Sequence, residues 1–331
     1  MTPAATRGTS AASVRRGRRR VVLAALALPY GAALAAPHAP AIGFLAPDEE
    51  PRYSDLLRGL REGLHDEAVA GVGIVQQRVA RGDTARVGAA AESFAAARVS
   101  AVFVVGSELA KKLRAADREL PIVFITPGDP VRAGLADSLA RPGRRLTGMT
   151  FEFAELSAKR LELLKEIAPA VRRVGVVFDR RDASPRQGLA AAQAAAMRLG
   201  VQLVELDVPS LLDARAAPAG RLDGLLLIPG GAVASAVPAA MQLAASWRVV
   251  SVGWTRGGAL RDATLSYGVN DVEIARKAAR LVVQVLNGRD AGELPIEQPT
   301  RFHLTLNLKS AHAIGVTVPP TLRLRADEVI E

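Results

Sequence analysis

Covalent catalysis needs a nucleophile held against a base, and metal chemistry needs ligands at short, regular spacing. This chain offers neither pattern. It has no cysteine, and its four histidines, His38, His65, His303 and His312, lie far apart. No G-x-S-x-G elbow, H-E-x-x-H pair or P-loop occurs, and "VGAAAESFAAA" (87–97) has one glycine where a dinucleotide fingerprint needs three. The expectation is therefore no catalytic residue, no metal, no cofactor, and a protein that is not an enzyme. What remains is non-covalent recognition, carried by small polar residues placed directly after apolar runs. Thr126, Pro127, Gly128 and Asp129 follow "PIVFI", Gly106 and Ser107 follow "AVFVV", Asp179 opens "DRRDASP" with Ser184 near its end, Gly230 sits in "PGG", and Pro47 follows "AIGFLA". Hydroxyls and backbone N–H groups at helix starts can hold a carboxylate or phosphate. Tyr53, Trp254 and Tyr267 lie near the same loops and can stack on a planar or apolar group.

Each of these residues also has a purely structural role open to it. Asp129 precedes Pro130, a residue suited to the first position of a helix, so its carboxylate can act as an N-cap. Ser107 can cap a helix over 107–118. Gly230 and Gly231 can be turn glycines. The charges of "ELSAKRLELLKEIAP" (155–169), Glu155 and Lys159 among them, have helical i,i+4 spacing and read as a solvated face.

The elements that must hold these loops alternate between short apolar runs and Ala/Leu-rich stretches of helical period, the pattern of βα units on a parallel sheet. Strands are expected at 41–45, 72–79, 101–105, 121–125, 173–178, 201–206, 223–228 and 249–253. Helices are expected near 52–68, 84–98, 107–118, 152–168, 186–199, 232–247 and 270–287. The first four strands and the last four share one cadence: strand, Gly-containing turn, helix, strand. The fold class is α/β, two doubly wound parallel-sheet lobes, one architecture used twice. In open parallel sheets ligands bind beyond the carboxyl ends of the strands. If those ends face one another, the site is the gap between loops 46–53, 106–108, 126–130, 179–185, 229–231 and 254–258.

The chain of 331 residues has a net charge of +10, which invites a nucleic-acid partner. The location of the charge argues against one. Residues 1–35 hold six arginines and no acid, and the rest carries 37 basic against 33 acidic residues. Arg15–Arg20, the apolar Val21–Leu28 and "ALAA" (33–36) read as a secretory signal cleaved near Ala35, with an apolar run too short to span a membrane. Arg15-Arg16 admits twin-arginine export as an alternative, and a disordered basic tail is the plain one. The absence of cysteine excludes disulfides and a lipid-modified N-terminal Cys. The expectation is a soluble periplasmic protein.

Four segments, "PIVFITPGDPVRAGLADSLARPGRRLTGMT" (121–150), "SAKRLELLKEIAPAVRRVGVVF" (157–178), "LSYGVND" (265–271) and "LPIEQPTRFHLTLNLKSAHAIGVTVPPTLRLRADEVIE" (294–331), resemble the ABC-transporter substrate-binding proteins of the tryptophan/tyrosine-binding-like group. The resemblance implies a type I periplasmic-binding-protein fold with three crossovers, near 146–150, 266–270 and 297–301. It divides the chain into a signal peptide (1–35), an N-terminal lobe (36–146 plus 270–296) and a C-terminal lobe (147–269 plus 297–331). It also implies ligand contacts from Ser107, Thr126, Asp129, Ser184, Gly230 and Tyr267. Departures stand out. Pro142-Gly143-Arg144-Arg145 replaces a common Pro-Gly-Gly-Asn, Asp179-Arg180 replaces Asn-Pro, and Pro229-Gly230-Gly231 replaces a loop bearing Asp or Asn in amino-acid-binding members. Asp179 or Asp182 is then the carboxylate left to meet an α-amino group.

The function so implied is capture of a small carboxylate-bearing or amino-acid-like ligand by closure of two lobes, and delivery to an inner-membrane ABC permease by a monomer. The alternatives are a ligand sensor signalling to a membrane receptor and, more remotely, an α/β enzyme.

Overall fold

The computed structural model describes residues 40–47, 53–69, 71–79, 83–151, 154–180, 184–212, 220–255, 257 and 262–331. The signal segment, most of the loop after Pro47, and Asp182 lie outside the described residues.

The central apolar runs become strands because they are buried on both faces, whereas Gly73–Val79 and Gln202–Asp207, at the sheet edges, are only partly covered. β1 (Ala41–Pro47), β2 (Gly73–Val79), β3 (Ala101–Val105), β4 (Ile122–Thr126) and β5 (Leu146–Thr150) form one fully parallel sheet in the order β2-β1-β3-β4-β5. α1 (Tyr53–Asp66) covers one face of this sheet together with α8 (Asp271–Leu286), while α2 (Thr84–Ala96) and α3 (Ser107–Ala116) cover the other. α8 thus returns from late in the chain to complete the first core.

The second sheet is built from β6 (Arg173–Phe178), β7 (Gln202–Asp207), β8 (Gly224–Leu227), β9 (Val250–Gly253), β10 (Leu265–Gly268), β11 (His303–Asn307) and β12 (Glu328–Ile330). Its order is β12-β11-β10-β9-β8-β6-β7. α4 (Ala154–Ile167) and α5 (Ser184–Leu199) pack on one face, and α7 (Gly231–Trp247) with the short α6 (Val208–Leu212) on the other. The series β7-β6-β8-β9-β10 repeats β2-β1-β3-β4-β5 position for position, which is the doubled architecture the cadence announced. β11 and β12 break the pattern: β11 runs antiparallel to β10, and β12 pairs parallel to β11. Short helices α9 (Leu308–Ala313) and α10 (Pro320–Arg325) close that edge.

The chain crosses between sheets three times: after Thr150, between Gly268 and Asp271, and between Glu297 and His303. β5 carries the first sheet to Thr150, whereas the sequence placed the lobe boundary at 146. The reason is backbone pairing: all five residues from Leu146 to Thr150 are in register with β4. The third crossover runs beside the first, with Thr150 N donating to Glu297 O at 3.0 Å and Glu297 N to Gly148 O at 2.9 Å.

Candidate functional site

Because β1, β3 and β4 are parallel, Pro47, Gly106 and Thr126 leave the first sheet along the same edge. Asp179, Ile228 and Trp254 leave the second sheet in the same way, after β6, β8 and β9. The two edges meet. Arg132, in the turn after β4, reaches the first turns of α5. With the Gln187 carboxamide oxygen turned toward it, that oxygen accepts from Arg132 Nε at 3.1 Å and from Nη1 at 2.7 Å. At the crossover, Thr255 Oγ1 after β9 donates to the buried carboxylate of Asp271 at the start of α8. Strand-end loops of the two sheets therefore face one another, joined by these two contacts.

The β4 loop is built from its own polar groups. Asp129 Oδ1 accepts from Val131 N at 2.8 Å and Arg132 N at 3.2 Å. It therefore caps a turn over 130–134 and not the helix that Asp-Pro suggested; the chain folds back because Leu135 N and Ala136 N both bond Pro130 O. Gly128 adopts φ +84°, and its carbonyl accepts the Thr150 hydroxyl, tying the loop to the first crossover. Thr126 is 1% exposed, and its hydroxyl donates to Pro127 O at 3.0 Å.

Gly106, not Ser107, occupies the cap position of α3, at φ +97°, a left-handed region that favours glycine. Ser107 becomes the first helical residue. Half-buried, it makes no hydrogen bond through its hydroxyl among the described residues, so that donor and the free N–H groups of the first turn are available to a ligand.

In the second lobe, Gly230 is the buried cap of α7, with extended backbone. Asp179 is 5% exposed at the end of β6. Ser184 starts α5. The aromatics divide. Trp254 is 2% exposed and packs among Val177, Leu227, Val237 and Ala263, so its ring belongs to the core and does not cover a ligand as expected. Tyr53 is held by an edge contact to Phe44, a 2.8 Å hydrogen bond to Gln76 Oε1, and the Arg78 guanidinium 4.7 Å from its ring centre. Burial raises its phenol pKa. Tyr267 is half-buried beside Phe302, with ring centres 6.2 Å apart.

One buried residue escaped the sequence. Arg160 is 1% exposed, and its Nε donates to Tyr267 O at 2.7 Å. It had been read as part of the solvated face of α4. Leu156, Leu164 and Ile167 mark the apolar stripe, and Arg160 falls four residues from the first two, so helical spacing alone could have found it. Charge pairing on the exposed face also differs from the expected Glu155–Lys159: Lys159 meets Glu162 at 3.2 Å.

Two lobes of matched topology with converging strand ends define a ligand cleft, and the family profile described as ABC transporter substrate binding protein matches residues 41–330. The chain belongs to that family. Among relatives of this substrate-binding protein is the "Tyrosine-binding protein" of Clostridioides difficile, 22% identical over 85% of this chain and 81% of that protein. Among solved structures, the Streptococcus pneumoniae ABC domain in complex with L-Trp superposes with TM-score 0.77 at 21% identity, covering 88% of this chain and 99% of that one. A conserved domain protein of Vibrio cholerae gives 0.78 at 24% identity, with the same coverage. These likenesses fix the fold as that of two-lobed binding proteins. Members of this family bind their ligand and perform no chemistry on it, so the protein is a binding protein and not an enzyme.

Proposed function

We propose that this substrate-binding protein, exported to the periplasm, captures a small carboxylate-bearing or amino-acid-like ligand between its lobes and delivers it to an inner-membrane ABC permease. The observation that carries this reading is the convergence of strand-end loops from both sheets, bridged by Arg132 and Gln187. Within it, the first turn of α3, with the unpartnered Ser107 hydroxyl, is suited to a carboxylate, since N–H donors and positive potential meet there. Buried Asp179 across the cleft is suited to an amino group, whose burial requires a carboxylate or several acceptors. Pro127, Gly128, Asp129, Ser184, Gly230 and Tyr267 complete the proposed lining, with Thr126 buried beneath the β4 loop as its support. The names of two relatives, which speak of tyrosine and L-tryptophan, support an amino-acid-like ligand. Capture would shift the population toward closure because the closed state gives the ligand contacts from both lobes.

A thermal-shift screen of L-tryptophan, L-tyrosine, other amino acids and small carboxylates tests this. A ligand at about 100 times its Kd adds roughly 2.7 kcal/mol of stability, a rise of several degrees for a protein of this size. A screen in which amino acids and carboxylates all leave the melting temperature unmoved refutes the ligand class.

A further inference from the structure

A second recognition surface lies on the first lobe, away from the cleft. Between α3 and the segment that leads into β5 is a half-open cavity of about 540 Å³, lined by Lys111, Arg114, Ala115, Arg118, Gly134, Leu135, Arg144 and Arg145. Five of these eight residues are cations and none is an acid. Lys111 and Arg114 share one face of the helix at a spacing of three residues, and Arg118 joins them from the chain just past its end. Arg144 and Arg145 face them from just before β5. That position is the amino end of the strand, whereas the cleft opens at the carboxyl ends.

The backbone beneath Arg144 and Arg145 makes the arrangement unusual. Both adopt left-handed φ, +52° and +53°. This region favours glycine and asparagine, and other residues pay roughly 1–2 kcal/mol each to occupy it. Both residues are exposed, and what ties them in place is polar: Arg144 Nη1 donates to Gly134 O at 3.1 Å, and Arg145 O accepts from Ile122 N at 3.0 Å. Arg144, Arg145 and Lys111 each have a carboxylate within reach that is not part of the cavity lining. Asp137 lies 3.0 Å from Arg144, Glu119 lies 3.5 Å from Arg145, and Glu108 lies 2.7 Å from Lys111. Such solvated pairs contribute little and exchange readily for a better anion. Arg114 is fixed as the floor: its terminal nitrogens donate to the carbonyls of Asp117 at 2.9 Å and Arg145 at 3.2 Å, and also to that of Leu120. Its Nε is buried without a hydrogen-bond partner among the described residues.

We propose that this cavity binds a multivalent phosphate-type anion, with Lys111, Arg118, Arg144 and Arg145 as its ligating cations on a floor held by Arg114. Guanidinium forks match phosphate oxygens in pairs. The cavity is larger than a single phosphate requires, and four ligating cations call for more than one negative charge. The site is separate from the cleft, so both can be occupied at once.

The test is titration calorimetry of the full mature chain with sodium tripolyphosphate at low ionic strength, alongside co-sedimentation with phosphatidylglycerol vesicles. Tripolyphosphate binding without vesicle binding identifies a soluble ligand; vesicle binding identifies a lipid headgroup as the source. The double variant Arg144→Gly/Arg145→Asn places favoured residues on the same backbone. It is expected to keep or raise the melting temperature while weakening binding at least tenfold. Arg118→Ala, which leaves the loop untouched, should weaken binding several-fold. Lys112→Ala, a neighbouring cation outside the cavity, should change it less than twofold. The proposal is overturned if neither probe binds, if both cavity variants bind as the parent does, or if Lys112→Ala loses as much as Arg118→Ala, since that last result reports diffuse charge and not a built site.

Discussion

Ser107, two residues past β3, and Thr126, the last residue of the neighbouring β4, stand in opposite situations. Thr126 is buried, and its hydroxyl is already spent on Pro127 O. Ser107 is half-exposed with its hydroxyl unengaged at the start of α3. A hydroxyl that meets only a ligand should matter to affinity and not to folding. Ser107→Ala is therefore expected to weaken ligand capture roughly five- to tenfold, the worth of one hydrogen bond at about 1 kcal/mol, with the melting temperature unchanged within about a degree. Thr126→Val should behave in the reverse sense: about 1 kcal/mol of stability is lost with its internal hydrogen bond, and affinity changes little. Calorimetric titration with the ligand from the screen, beside thermal melts, separates the two. If Ser107→Ala leaves affinity intact, the first turn of α3 is not part of the site. Both residues were visible in the sequence because small polar residues directly after apolar runs mark strand ends. Their division of labour was not visible, because it depends on Gly106 taking the cap position through a left-handed backbone that no residue pattern declares. Trp254 was misjudged for a related reason: the alternation that places it after β9 does not say that α7 and Val177 close over its ring.

Helices α1 and α8 stand more than 200 residues apart in the chain and share one core. Their approach depends on Gly59 and Gly63, one turn apart on a single face of α1. A methyl group at Gly59 would collide with the backbone of Val272, and one at Gly63 with Arg276 O and the Ala279 methyl. Backbone in a packed helix cannot step aside. Gly59→Ala gains up to about 1 kcal/mol in helix propensity, but overpacking of this kind costs about 1–3 kcal/mol, so the contact should win. The expected result is a melting temperature several degrees lower; an unchanged or higher value would show that α8 can move away freely. At this scale the sequence was most informative where strands are apolar throughout. The eight strands expected from hydrophobic runs all form, within two residues at either end. β5, β10, β11 and β12 were not anticipated, because "LTGMT" and "LSYG" bury hydroxyls that a hydropathy reading counts as exposed. The structure shows how such burial is met in β5, where Thr147 Oγ1 donates to Pro295 O at 3.1 Å, and just before β10, where Thr264 Oγ1 accepts from Ser251 N at 3.2 Å. Such bonds join residues distant in sequence, so no local pattern reveals them.

Across the whole molecule, the element shared between lobes is α8, which packs in the first core and touches the second sheet. His303 on β11 stands at that junction, its Nε2 3.1 Å from Glu273 Oε2 on α8 and its Nδ1 3.9 Å from Asp327 Oδ1 beside β12. Lys277 lies 2.8 Å from Glu273, and Arg301 lies 2.8 Å from Asp327. The Glu273 carboxyl is held below its usual range, first by the Lys277 hydrogen bond and then, against the opposing effect of burial, by His303. The Asp327 carboxyl is likewise lowered, first by the Leu304 N–H, which donates at 2.9 Å, and then by Arg301. A carboxylate whose folded pKa is depressed stabilises the fold fully above its unfolded value, about 4. That contribution disappears as pH falls through the lower folded value. The tie between α8 and the second sheet should therefore hold at neutral pH and fail in acid. The melting temperature is expected to drop as pH falls below about 4, and Glu273→Gln/Asp327→Asn should flatten that drop while lowering the melting temperature at pH 7. If the double variant shows the parent's slope in acid, the junction contributes nothing to pH-dependent stability, and the connection between lobes rests on the other contacts described, Arg132 with Gln187, Thr255 with Asp271 and the paired backbones at Thr150 and Glu297.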